Sequence, residues 1–145
     1  MSAGHIKTSA IVVARVQYGE ADRIVTVLTP DQGKIGLMAK GARRAKSKLA
    51  GGIELFSVSE VVFIRGKSGL GTLISARLER HYSDITASLE RTMEGYELLK
   101  IIQKTTEDDV DEGYYRMLLQ AFAGLDDPAV PLELVRVWFA ARLLV

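Results

Sequence analysis

The chain has 145 residues, 48% of them hydrophobic and 26% charged, with a formal net charge of +1. That composition excludes a disordered chain and suffices for one ordinary domain or two small ones. The absence of cysteine excludes a disulfide framework and a thiolate metal site, and no apolar run approaches the roughly 18 residues that span a bilayer.

The N-terminus, Met1 to Lys7, lacks an apolar stretch of signal-peptide length, so a cytoplasmic protein is expected. Thr8 to Val16 is rich in β-branched residues and predicts a strand; Gln17 to Asp22 reads as a turn. Arg23 to Thr29 predicts a second strand. Thr29-Pro30-Asp31-Gln32-Gly33 has turn chemistry, with proline presetting φ and Gly33 free to take a positive φ. Lys34 to Lys40 returns as the other arm of a hairpin, with Ile35, Leu37 and Ala39 on one face.

Lys40 to Gly52 follows. It places five cations, Lys40, Arg43, Arg44, Lys46 and Lys48, in nine residues with no acidic group among them. Glycines at both ends and small residues between predict a mobile basic loop. Like charges held together repel, and a polyanionic partner accounts for retaining them; a solvated surface loop is the simpler alternative.

Leu55 to Arg65 predicts a fourth strand buried on both faces, Gly66 to Gly69 a turn, and Leu70 to Arg80 a fifth strand with Ile74, Ala76 and Leu78 on one face. A free five-stranded sheet would leave edges exposed, so closure into a five-stranded oligonucleotide-binding (OB) barrel is expected. After His81 the period becomes helical. Leu89, Met93, Tyr96 and Leu99, widened by Leu98 and Ile102, predict a helix capped by Ser83 or Asp84. Asp109, Asp111 and Glu112 suit the positive start of a second helix, whose stripe is Tyr115, Leu118, Leu119 and Phe122. Pro131 opens a third, with Leu134, Trp138, Ala141 and Val145 as its stripe. Its uncapped apolar end, Leu143-Leu144-Val145, predicts a helix that lacks its native cover.

The near-zero net charge conceals two unlike halves. Residues 1–80 hold 13 Lys and Arg against 6 Asp and Glu, whereas residues 81–145 hold 6 against 12. Such asymmetry points to a nucleic acid or another anionic partner for the basic half. Catalytic patterns fail. Gly66-Lys67-Ser68 lacks the glycine of a phosphate loop, since that position is Val61. Gly69-Leu70-Gly71 lacks a third dinucleotide-binding glycine, which would fall on Ile74. His5, in a tail, and His81, at a domain joint, are too few for a metal site. Glu20, Asp22 and Arg23 read as a turn-stabilising ion cluster. Tyr18, beside a turn, is a stacking candidate, Phe63 and Trp138 read as core, and Phe56 stays undecided.

Tyr18-Gly19-Glu20-Ala21-Asp22-Arg23-Ile24-Val25, Leu28-Thr29, Gly33-Lys34 and Ala39-Lys40-Gly41-Ala42-Arg43-Arg44, with Lys46-Ser47 beyond, resemble the N-terminal pattern of the RecO family of bacterial DNA repair and recombination mediators. The pattern is tight over about the first sixty residues, and the helical remainder agrees only in order and length. The resemblance implies an α+β protein: an OB-fold DNA-binding barrel over residues 1–80 and a small all-α domain over 81–145. It implies binding of single- and double-stranded DNA, strand annealing, and action with RecR to load RecA onto DNA coated by single-strand-binding protein (SSB), whose tail the family contacts. It implies no enzyme turnover and no cofactor. By position it assigns DNA contacts to Arg23, Lys34, Lys40, Arg43, Arg44 and Lys46; Lys48 joins them by charge alone and Tyr18 by its place at the turn. Many family members run longer and carry a four-cysteine zinc site in the helical domain, which this cysteine-free chain does not hold. A protein-interaction module that docks an acidic SSB-like tail, or an RNA-binding OB protein, fits the same composition.

Overall fold

β-Branched runs and turn residues build the first half as the sequence predicts. In the computed structural model, which describes residues 4–107 and 111–144, five strands form: β1 (His5–Tyr18), β2 (Asp22–Leu28), β3 (Lys34–Ala39), β4 (Ser57–Ile64) and β5 (Leu70–His81). They close in a ring in the order β1-β2-β3-β5-β4, all pairs antiparallel except β3 with β5. This is the OB-like arrangement expected, and it leaves no free sheet edge. His5 is part of β1, opposite Ile64, and not of a tail.

Bulges decide which residues face where. Val12 pairs with Val27 and Ala14 with Thr26, so Val13 is inserted between them. That extra residue bends β1 so that its first half pairs with β4 and its second with β2. A second bulge inserts Ile74 into β5, since Phe63 pairs with Leu73 and Val62 with Ser75. This breaks the alternation expected along β5. Leu73 and Ala76 face the barrel interior, and Ile74 and Leu78 are exposed.

There are two apolar cores. Inside the barrel lie Ala10, Val12, Val25, Val27, Leu37, Val61 and Phe63. Outside it, Ile11, Val13, Leu28, Phe56 and Val58 are covered by the helices. These are α1 (Ser83–Thr86), α2 (Leu89–Thr105), α3 (Glu112–Leu125) and α4 (Leu132–Leu143). Ser83 and Asp84 belong to the short α1, and the cap of the long helix is Ser88, whose side chain accepts from the Arg91 amide. Asp111 caps α3 through the Gly113 amide at 2.6 Å. Asp109 and Val145 lie outside the described residues.

The stripe predicted for α3 is buried at Tyr115, Leu118 and Phe122, whereas the faces of α2 and α4 differ in part from their predicted stripes. In α2 the buried residues are Glu94, Gly95, Leu98, Leu99 and Ile102, while Leu89, Met93 and Tyr96 are exposed. The reason is a close approach at Gly95. A Cβ there would lie 2.5 Å from the Phe56 ring, so only glycine admits this contact. Phe56 itself is buried with φ of 59°, a conformation rare for a non-glycine residue, and packs on Tyr96 and Phe122. In α4 Val135 and Phe139 are buried, Trp138 is half-buried, and Leu134 and Ala141 are exposed. Leu144 is exposed.

Candidate nucleic-acid interface

The basic loop begins on a seat made by the β1–β2 turn. The carboxylate of Asp22 accepts the Gly41 amide at 2.7 Å. Gly41 takes φ of 69°, which turns the chain out of β3 and aims its N–H at that carboxylate. The Arg43 backbone N–H then donates to the Ala21 carbonyl at 2.9 Å. Its side chain reaches back as well: Nε donates to the Asp22 carbonyl at 3.0 Å and Nη2 to the Gly19 carbonyl at 2.6 Å. Ala42 between them is buried in the barrel core. Further turns follow, with the Arg44 amide on the Gly41 carbonyl and the Ser47 amide on the Arg44 carbonyl. The loop is therefore pinned, not mobile as its glycines suggest.

Pinning divides the five cations into two kinds. Arg43 spends its guanidinium on backbone carbonyls and is half-buried. Lys40, Arg44, Lys46 and Lys48 are exposed, and none of them forms an ion pair with a described residue. Self-repulsion among the four is held in place by the anchors below them. Asp22 serves the loop, and no ion pair joins it to Arg23; the tight polar cluster read from the sequence is a loop anchor. Arg23 is half-buried, opposite Gln17 on one side and Ala39 on the other. Tyr18, opposite Asp22, is exposed.

So Tyr18, Arg23, Lys40, Arg43, Arg44 and Lys46 come together at one end of the barrel, with Lys48 further along the same loop. Lys34 does not join them. It lies at the other end of β3, opposite Leu28, and its Nζ donates to the Thr106 carbonyl at 2.8 Å, just past α2. That contact ties the barrel to the helices. The Arg65 and Lys67 region is a separate basic site at the exposed β4–β5 turn, with Arg65 donating to Gln32. Two features escape a sequence reading: the anchoring role of Arg43 and the glycine-gated packing of Phe56. Both depend on partners more than twenty residues away.

His81 is held by the Ser57 hydroxyl, 2.8 Å from Nδ1, where the barrel meets α1. Among the described residues, no group of three or more His, Asp and Glu side chains is placed to hold a metal ion. No described helix is long and apolar enough to cross a membrane.

Comparison with known proteins assigns this chain to a family. Residues 1–82 match the family model "Recombination protein O N terminal". The chain is 37% identical over 142 residues to the DNA repair protein RecO of Acetivibrio thermocellus, covering 97% of this chain and 56% of the relative. It is 34% identical over 139 residues to that of Dehalococcoides mccartyi, with coverage of 95% and 54%, and 32% identical over 142 residues to that of Desulfatibacillum aliphaticivorans, with 96% and 55%. The chain thus spans about half the length of the curated relatives it matches. With the family model covering the barrel, and relatives aligned through the helices, the chain belongs to the RecO family of DNA repair proteins.

Proposed function

We propose that this chain captures DNA for a recombination mediator, with residues 1–80 as its DNA-binding unit and residues 81–145 as a helical domain. The observation that carries the reading is the set of four exposed cations, Lys40, Arg44, Lys46 and Lys48, mounted on a pinned loop. Exposed cations that do not fold back on carboxylates are available to phosphates, and each phosphate neutralised releases condensed counterions. Such contacts carry no sequence information, so single strands of any composition bind and complementary strands can meet. Annealing of single strands, binding of duplex DNA, and cooperation with RecR in loading RecA on SSB-coated DNA follow as roles of the family. The chemistry is binding without turnover, and needs no cofactor.

A salt series of single-stranded DNA binding tests the reading. On single strands each phosphate contact contributes roughly −0.7 to the slope of log K against log salt. Replacing Lys40, Arg44 and Lys46 with Ala is expected to make the slope shallower by about 2, equally for every sequence tested. An unchanged slope would move the site to Arg65 and Lys67. Binding of an acidic peptide in place of DNA would instead favour a protein-docking role for the same loop, and preference for RNA of equal length would favour an RNA-binding one.

A further inference from the structure

The helical half carries a groove whose charge is opposite to that of the basic loop. It runs between α2 and α4, where Arg136 of α4 reaches across to Glu94 of α2. Two hollows, of about 450 and 260 Å³, adjoin at that bridge and share Glu94, Glu97 and Arg136. Their floor is apolar: Met93 and Leu132 at one end, Leu98, Ile101, Phe139 and Leu143 at the other. Glu90, Glu97 and Glu133 line the same hollows and are exposed. Among the described residues that line the groove, Arg136 is the only cation, and Glu94 occupies it. Lys100 meets Glu97 at 3.3 Å, but that pair stands in solvent and contributes little.

An apolar floor beside free carboxylates suits side chains with a long aliphatic stem and a cationic head. Lysine and arginine bury such stems along apolar surface and keep the charge at its polar edge. The chain itself holds a segment of this kind. Lys40, Arg44, Lys46 and Lys48 are exposed and pair with no described carboxylate. None of them meets the groove of its own molecule, because the loop is fastened to the β1–β2 turn through Gly19, Ala21 and Asp22. Charge is segregated along the whole chain, with 13 Lys and Arg against 6 Asp and Glu in residues 1–80 and 6 against 12 beyond. Two copies therefore attract when the basic half of one faces the acidic half of the other, and like halves repel.

We infer that the α2–α4 groove takes the Lys40–Lys48 loop of a second copy of the chain, and that the docked loop is masked. The contact is heterologous. Each copy offers its loop to one neighbour and its groove to another, so the contact propagates head to tail unless it closes in a ring. The docking stands on charge and shape alone; only the consequence of masking rests on the DNA-binding reading above. Under that reading phosphates compete for the same cations, and DNA releases the protein from its own assemblies.

Sedimentation velocity of the 145-residue chain tests the docking. The sedimentation coefficient is expected to rise with protein concentration at about 0.05 M salt and to return to the monomer value at about 0.5 M. Glu90→Gln, Glu97→Gln and Glu133→Gln together are expected to weaken association about tenfold, and Met93→Ser alone about fivefold; all four positions are exposed. Because the chain has no cysteine, introduced ones locate the contact. Lys46→Cys mixed with Glu97→Cys is expected to give a covalent dimer with a short bismaleimide, and Lys67→Cys mixed with Glu97→Cys is not. A chain that stays monomeric at low salt overturns the inference, as does cross-linking through Lys67→Cys in place of Lys46→Cys. Association that survives high salt and is lost with Leu144→Ser overturns it in favour of an apolar contact. A monomeric chain whose groove binds a synthetic Lys- and Leu-rich peptide overturns it in favour of a foreign basic partner. Assemblies that hold together with oligo-dT bound overturn the masking. Absence of oligo-dT binding overturns the DNA-binding reading and leaves the docking standing.

Discussion

Arg43 illustrates how one side chain can be basic in the sequence and structural in the fold. Its guanidinium bridges the Gly19 and Asp22 carbonyls, so it holds the loop on the β1–β2 turn. Arg43→Ala removes two charge-assisted bonds and is expected to cost about 1–2 kcal/mol in urea denaturation. Arg44→Ala or Lys46→Ala should leave stability within about 0.5 kcal/mol, because both side chains are solvated. The sequence alone suggests that removing Arg43, Arg44 and Lys46 together leaves the barrel untouched; the anchors assign the cost to Arg43. Gly95 is a second such residue. A methyl group there would meet the Phe56 ring at 2.5 Å, and Gly95→Ala is expected to destabilise by about 1–3 kcal/mol. A denaturation midpoint equal to that of wild type would show that the ring can move aside.

At the scale of elements, the helices grip the barrel through buried tyrosines. Tyr82 packs edge-on to Phe122, and Tyr115 packs in the same core. Burial pushes both phenols above their ordinary value near 10. For Tyr82 the Arg80 guanidinium pulls the other way and Asp126 adds to the rise. For Tyr115 the Ser9 hydroxyl opposes the rise, and Glu79 and Tyr82 support it. The folded state thus prefers the neutral phenol. Its stabilisation is full below pH of about 10, where the unfolded chain also holds the proton, and is lost as pH climbs through the raised folded values. Urea denaturation from about pH 9 to about pH 11 is expected to show falling stability, and a shallower fall with Tyr82→Phe and Tyr115→Phe. Equal slopes would mean that other groups govern alkaline unfolding.

The same elements mark how far sequence patterns reach. The five strands fall within a few residues of their predicted spans, because β-branched runs and turn residues act locally. The face of α2 could not be read in this way. Its buried side carries Glu94, paired with Arg136 of α4, and the glycine that admits Phe56. Apolar periodicity is blind to a buried carboxylate matched by a distant arginine, and equally to a small residue that matters for the room it leaves. In the loop, the cluster of cations was legible, and its seat on the Gly19, Ala21 and Asp22 carbonyls was not. Lys34 stands apart from the loop for a related reason, since only the packing of α2 brings the Thr106 carbonyl within its reach.

Over the whole molecule, the two halves are joined by more than a hinge. The outer barrel residues Ile11, Val13, Leu28, Phe56 and Val58 share a core with Leu98, Ile102, Leu118, Phe122 and Phe139. Residues 1–80 made alone would expose that surface to water. They are expected to elute from size exclusion as oligomers, and Ile11→Ser with Leu28→Ser should restore a smaller species. A clean monomer from unaltered residues 1–80 would show that the barrel does not depend on its helical cover.

This shared core also sets an order of events during synthesis. The ring closes only when β5 has emerged, because β4 and β3 both need it and β1 must wait for β4. The outer wall then stays bare until Phe122 and Phe139 leave the ribosome, up to 58 residues after His81. At translation rates of about 5–20 residues per second that interval is about 3–12 s. A nascent chain arrested in this window would present a finished barrel with a greasy flank, the form in which a ribosome-bound chaperone would find it.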